Sequence, residues 1–391
     1  MTLIAAIGQS QVMDAREAGM QAIYQALNSL GTVTPSLCIL IVPHRYDPVQ
    51  VINGAASMLS NVPTLGFSVS SGLTQNGVHS HSVIVALLAG DSLLAETHWF
   101  PTYSQSSAET ATRITQLLGY EQNPVKQVLV FADGLNANTE EFCGNLRAGL
   151  PVLGGLSSGD LMSTTTFQIA GMQSGSGALA AAFLRGNFKL GMGFGHGWYP
   201  VGSDFRVTRS RGFWLRTLDG KPASDTYARL FGQESRTWAT APLNSMCRIY
   251  PLGFEQNFSD QLLIRAPIRV EADGSLRMNS NLLEGSNAYL MVGSPADCEK
   301  AAIQAARDAL NDLGDAKPVL ALVLVDTAWQ MLLQAQPERV INAIQEVLGI
   351  DVPIAGGFTL GQILPSDSKI THPRFMNQHI VVALFSEPKT K

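Results

Sequence analysis

The sequence predicts an α/β protein with mixed sheets, built from three repeated β-α-β-α-β-β lobes and a β-rich insertion. Three observations predict it. A turn of glycines and hydroxyl residues occurs at Pro63–Gly72, Pro151–Asp160 and Pro353–Gln362. An apolar strand and a helical stretch precede each turn, and another apolar strand follows it. The spacing of roughly 95 residues exceeds the 20–50 of solenoid repeats, which reads as triplication of one small lobe.

The first lobe covers about 1–90. It opens on a strand at Leu3–Ile7. Asp14 is a suitable N-cap for a helix over Ala15–Leu30, with Ala18, Ala22, Leu27 and Leu30 as its apolar stripe. Leu37–Val42 shows no polar alternation, so that strand is expected to be covered on both faces. A helix over Pro48–Leu59, the first turn and a strand over Ser82–Leu88 complete the lobe. His79 and His81 would share a face in a strand, but no third metal ligand stands near them, so a solvated hairpin is expected.

The second lobe, about 91–186, repeats the order: strand Leu93–Trp99, helix Ser107–Leu118, strand Val128–Phe131, helix Thr139–Ala148, turn, strand Gly177–Leu184. Asp133 and Asn136 end its central strand. The carboxyl end of a parallel strand is where α/β folds bind ligands, and the same residue types make ordinary loops and caps. The third lobe is placed at about 287–386: strand Ala288–Val292, helix Pro295–Leu313, strand Val319–Val325, helix Pro337–Leu348, turn, strand His379–Phe385.

Residues 187–286 interrupt the pattern. In Leu190–Trp198 glycine recurs at every second position, so Gly191, Gly193, Gly195 and Gly197 share one strand face. A bare face admits a helix, a second sheet or a flat ligand. Met192, Phe194, His196 and Trp198 share the other face. That strip is either core or a ligand wall, with His196 as a candidate haem-iron ligand. Strands at Asp204–Thr208 and Phe213–Leu218, a helix at Ala223–Phe231, and a hairpin of Gln261–Val270 with Ser275–Met278 around Asp273-Gly274 follow.

The turns themselves are the expected ligand site. Gly154, Gly155, Gly159, Gly356, Gly357 and Gly361 permit close approach of another backbone or a ligand. Ser157, Ser158, Thr359 and Gln362 supply groups that can hold it. Gly155–Gly159 also matches GxSxG, a hydrolase nucleophile elbow, which would make Ser157 a nucleophile. That elbow needs a helix after the serine. Here Leu161–Thr166 has poor helix propensity, and the third turn carries Thr359 at the equivalent place. The turn therefore reads as architectural or ligand-holding, and the chain as a non-enzyme, with a serine hydrolase as a lesser alternative.

Composition narrows the class. Hydrophobic residues make up 46% of the 391 and charged residues 15%, enough for a sizeable core. A net charge of -5, with no run of Lys and Arg, argues against nucleic acid as the main partner. Cys38, Cys143, Cys247 and Cys298 show no CxxC spacing, so neither a disulfide framework nor structural zinc is expected. The N-terminus lacks a basic leader and no apolar run approaches a membrane span. The expectation is a soluble, cytoplasmic protein.

The stretch Gly197–Gly202, then Val207-Thr208, Leu218–Ala223 and Tyr227, resembles the junction between the N- and C-terminal FIST domains. Gly357–Ile363 resembles the closing motif of the FIST C-terminal domain, with Gln362 where that family usually carries Glu. The resemblance implies FIST-like domains over 1–196 and 197–391. It implies an intracellular sensor of small ligands such as amino acids, signalling to a partner such as a histidine kinase or diguanylate cyclase. Some members similar to this chain are haem-binding nitric oxide sensors that control a kinase, which makes haem the alternative cofactor.

Overall fold

The computed structural model describes residues 2–388 apart from 120–123, 161–162, 235–245, 247–248, 257–258, 279 and 367–370. The expectations for Cys247 and for Leu161-Met162 lie outside these described residues. The architecture is mixed α/β with four sheets. Three of them have six strands in a shared order.

In the first sheet the order is Ile4–Ser10, Val83–Ala89, Pro35–Pro43, Thr64–Val69. Pro35–Pro43 and Thr64–Val69 pair in parallel, because the helix Pro48–Ala56 crosses between them; the other neighbours are antiparallel. The second sheet runs Leu94–Phe100, Leu179–Arg185, Gln127–Ala132, Val152–Leu156. The third runs Lys189–Gly195, Ile380–Ser386, Pro318–Asp326, Ile354–Thr359. Each is completed by a short hairpin that follows a glycine turn and belongs to another lobe. Gln168–Ala170 with Gln173–Gly175 joins the first sheet, Gln362–Leu364 with Arg374–Met376 the second, and Gly72–Thr74 with Gly77–His79 the third. These hairpins link the lobes in a closed cycle.

The third lobe opens on a different strand from the one expected. Asn287–Gly293 does not join the third sheet. It pairs with Trp198–Arg211 and Leu252–Gln256 in the fourth. Lys189–Gly195 takes the place, antiparallel to Ile380–Ser386. The helix Pro295–Leu313 explains the choice. It lies so close that a Cβ on Gly191 or Gly193 would come within 2.3 and 2.0 Å of the Ala309 and Ala305 carbonyl oxygens. Gly8 faces Ala22 of the helix Ala15–Leu30 in the same way, at 1.9 Å. The bare glycine face therefore meets a helix, and the insertion separates strand from helix in sequence while they remain packed.

Several helices end earlier than expected. Thr139–Asn145 and Ala223–Arg229 are shorter than their sequence patterns. In the third lobe a short helix, Thr327–Leu332, precedes Arg339–Leu348. The Asp326 carboxylate caps it by accepting the Ala328 N–H at 3.0 Å.

The strand Pro35–Pro43 is buried on both faces, as its lack of alternation implies. Leu37, Ile39 and Ile41 join a core shared by all three sheets, with Phe67, Phe131, Leu322 and Leu324. The Phe67 and Phe131 rings stack at 3.8 Å. Cys38, Leu40 and Val42 face the other way, into a separate cluster with Ala18, Ala22 and Val51 of the flanking helices. The insertion forms the fourth sheet, ordered Ser259–Arg265, Leu252–Gln256, Asn287–Gly293, Trp198–Arg211, Trp214–Leu218, Leu276–Met278, Pro267–Val270. No helix among the described residues is long and apolar enough to cross a membrane.

Candidate functional site

The three glycine turns meet. Ser158 N–H donates to Ser68 O at 2.9 Å, and Ser68 Oγ donates back to Ser158 O at 2.9 Å. Leu360 N–H donates to Leu156 O at 3.0 Å, Leu156 N–H to Gly361 O at 2.9 Å, and Phe358 N–H to Ser71 O at 3.0 Å. One side chain reinforces all of these: Ser158 Oγ donates to Phe358 O at 2.5 Å and accepts the Ser70 N–H at 2.9 Å.

This changes what the expected binding groups do. Ser157, Ser158, Thr359 and Gln362 are fully buried. Thr359 Oγ1 donates to Val325 O, and Gln362 Nε2 donates to Thr359 Oγ1 at 3.0 Å. Gly154 and Gly356 serve packing, since a Cβ there would lie 1.8 Å from the Val130 and Val323 carbonyl oxygens. Gly155 and Gly357 lie against Thr359 and Val69 side chains, and Gly361 against Phe375. Asp133, also buried, accepts Leu135 and Asn136 N–H on Oδ2 and Thr166 Oγ1 on Oδ1, which is capping chemistry. Of the expected ligand-binding residues only Gly159 reaches a sizeable open cavity.

That cavity, about 450 Å³, lies beside the meeting point, where the carboxyl ends of the central strands open. Its volume is in the range of small-molecule sites. Pro43 ends a parallel strand, and His44 and Arg45 follow it into the cavity. The second lobe contributes Gly159 and Asp160, and the third Thr327 and Gln330. His44 Nε2 lies 3.2 Å from Asp160 Oδ2, Arg45 lies 3.7 Å from the same oxygen, and Ser163 Oγ donates to Asp160 Oδ1 at 2.9 Å. On the opposite wall the Gln330 amide spans two serines: Ser70 Oγ donates to its Oε1 at 2.6 Å, and its Nε2 donates to Ser71 Oγ at 2.9 Å. Ser71 and Ser80 hydroxyls are 3.0 Å apart.

The neighbouring junction is closed. Gly134, Leu360, Asp326 and Gln378 surround a space of about 40 Å³, covered by Ala266, Pro267 and Ile268 of the insertion. That holds a water, not a metabolite.

Among the described residues Ser157 is not placed as a nucleophile. No helix follows Ser157, and its buried hydroxyl has no hydrogen-bond partner among the described residues. His44 and Asp160 form two members of a triad, but His44 Nδ1 is likewise without a partner there. No group of three or more His, Cys, Asp or Glu side chains suited to a metal occurs among the described residues. His79 Nε2 is hydrogen-bonded to Thr74 Oγ1 at 2.8 Å, while His81 lines the cavity.

His196 lies elsewhere, in a separate cleft of about 370 Å³ with Phe194, Tyr199 and His379. Its Nδ1 accepts the Trp198 N–H at 3.3 Å. That assigns the ring proton to Nε2 in the neutral form. An iron ligand on Nε2 needs the lone pair there, so the arrangement does not fit haem ligation by His196. Burial lowers the pKa of His196, and burial together with His196 lowers that of His379 to about 3. The rings are edge to face at 4.9 Å.

The FIST N domain matches residues 36–221 and the FIST C domain matches residues 223–365. The chain belongs to the FIST family. FIST domains are associated with small-ligand sensing in signalling proteins. A curated relative is an uncharacterized protein of Methanocaldococcus jannaschii, 26% identical over 151 residues, which are 36% of this FIST chain and 29% of the relative. The alignment thus spans less than a third of that relative's length. Among solved structures, a cyanuric acid hydrolase aligns over 99% of this chain and 100% of its own at a TM-score of 0.35 and 8% identity. The cyanuric acid hydrolase from A. caulinodans aligns over 46% and 71% at 0.25 and 10% identity. PurLQS from Thermotoga maritima aligns over 99% and 72% at 0.24 and 12% identity. Likeness at these scores has no weight for the chemistry of this FIST protein.

His44, Arg45, Asp160 and Gln330 escaped the sequence reading. The signal for the first two was present: a charged pair directly after the apolar strand that ends at Pro43. Gln330 had none, because its helix comes from another lobe.

Proposed function

We propose that this FIST protein senses a small polar ligand in the 450 Å³ cavity and reports its occupancy to a separate signalling partner, without catalysis. The observation that carries the reading is that the cavity walls come from all three lobes. An occupant there touches every lobe at once. A ligand that favours one arrangement of the lobes shifts the population toward it. Tenfold coupling takes about 1.4 kcal/mol of differential affinity, within reach of one or two hydrogen bonds.

The lining suits an amino-acid-like molecule. Arg45 offers donors to a carboxylate, Asp160, held by His44, accepts from an ammonium group, and Ser80, Thr327 and Gln330 meet polar substituents. The family's association with signalling supports a histidine kinase or diguanylate cyclase as the partner, in the cytoplasm. A thermal-shift screen with the common L-amino acids, each at millimolar concentration, tests the ligand class. At least one should raise Tm in the wild type and fail to do so in Asp160→Ala. A flat screen, or a shift that survives Asp160→Ala, contradicts this reading.

A further inference from the structure

No run of basic residues exists in the sequence, yet the fourth sheet assembles a basic face from three separate strands. In register, Arg211 stands opposite Trp214, and Trp214 stands opposite Arg277. Directly opposed residues project from the same face of a sheet. Arg216, two residues beyond Trp214, lies at a bulge, where the ladder passes from Ser210–Leu215 to Arg209–Thr217 and skips it, so the register assigns only Arg211, Trp214 and Arg277 to that face. The alternate residues Leu215 and Leu276 point the other way, into a core with Val207 and Leu218. Arg211 and Trp214 are exposed.

Among the described residues none of Arg211, Arg216 and Arg277 is in an ion pair, and the Nε atoms of Arg216 and Arg277 are buried without a hydrogen-bond partner. Two acids stand near: Glu284 accepts the Ser210 N–H at 2.8 Å beside Arg211, and the exposed Asp273 carboxyl is held low by hydrogen bonds from Ser275 and, to a smaller extent, by Arg216. A face with two arginines outside any ion pair among the described residues is unexpected on a chain with a net charge of -5. We propose that the Arg211–Trp214–Arg277 face docks a short acidic segment of a partner protein, with carboxylates on the guanidinium forks and an aromatic residue on Trp214.

Two arguments favour an acidic peptide over nucleic acid. Three adjacent strands span only about 10 Å at ordinary strand spacing, too little to follow a phosphate backbone. The surrounding acidic protein would also repel an extended polyanion, whose binding depends on many phosphate contacts. Guanidinium and carboxylate, by contrast, match fork to fork within a single pair. An extended peptide with an acid at every second residue presents all its carboxylates to one side. This inference concerns the partner and does not depend on the ligand cavity.

Fluorescence anisotropy tests it with two labelled probes: a twelve-residue peptide with Glu at every second position except one central Tyr, and Ser between them, and a single-stranded oligonucleotide of equal charge. The peptide should bind the wild type, weaken as salt rises, and lose at least tenfold in affinity in Arg211→Glu. Arg211 is exposed, so that change leaves the core intact, and an unchanged Tm verifies this. Trp214→Ala should weaken the peptide as well, and Arg211→Lys, which keeps the charge and loses the fork, should fall between the wild type and Arg211→Glu. The proposal is overturned if the peptide does not bind, if R211E binds it as well as the wild type does, or if the oligonucleotide binds more tightly than the peptide.

Discussion

The Ser158 hydroxyl donates to the Phe358 carbonyl at 2.5 Å, joining residues 200 positions apart. The same oxygen accepts the Ser70 N–H at 2.9 Å. One buried side chain of the second lobe thus satisfies backbone groups of the first and the third.

Ser158→Ala would take this partner from a buried carbonyl and from a part-buried N–H. The expected loss of stability is about 2–4 kcal/mol, since each orphaned group costs roughly 1–3 kcal/mol. Its neighbour provides the contrast. Ser157 Oγ is equally buried and has no partner among the described residues. Ser157→Ala should change stability by no more than about 0.5 kcal/mol or raise it slightly. Urea unfolding of both variants decides the matter, and equal losses would refute the assigned hydrogen bonds.

The close approach of helix Pro295–Leu313 to the glycine strand makes a second test. Gly193→Ala places a methyl where the Ala305 carbonyl stands and should cost about 3 kcal/mol. Gly144 has open space around its Cβ position and lies in the helix Thr139–Asn145. Gly144→Ala should stabilise by about 0.5–1 kcal/mol. Thermal unfolding of the pair measures both signs.

These residues also mark how far the sequence could be read. The strand Leu37–Val42, the three turns and most helices were legible, because apolar runs, caps and glycines act locally. The misassigned opening strand of the third lobe was not. Lys189–Gly195 and Asn287–Gly293 are both plausible strands by pattern, and only the packing of Gly191 and Gly193 against Ala305 and Ala309 selects between them. The hydroxyls of Ser158 and Thr359 were found, but their partners lie in other lobes, so hydrogen bonds between turns were read as ligand contacts. The Arg face was invisible for the same reason: Arg211, Trp214 and Arg277 come side by side only once their three strands pair.

Stability should fall with acid below pH 6.5. Burial, reinforced by the neighbouring His196, lowers the His379 pKa to about 3, whereas the unfolded chain takes up its proton near the ordinary value of 6.5. Between those values the unfolded state binds the extra proton, so acid favours unfolding. The slope from His379 should approach roughly 1.4 kcal/mol per pH unit between pH 6 and 4. Burial lowers the pKa of His196 too, and it adds in the same direction. Denaturation midpoints of wild type and His379→Gln across this window check it: the variant should lose most of the slope, even if it is less stable at neutral pH.

The most direct test of the sensing account is native mass spectrometry of gently purified protein, with an absorption spectrum of the same sample. The wild type should carry one small polar molecule and show no visible absorbance, and Arg45→Ala with Asp160→Ala should arrive without it. A bound mass that persists in that double variant, or a haem spectrum in the wild type, would contradict the assignment of the cavity between the lobes as the sensing site.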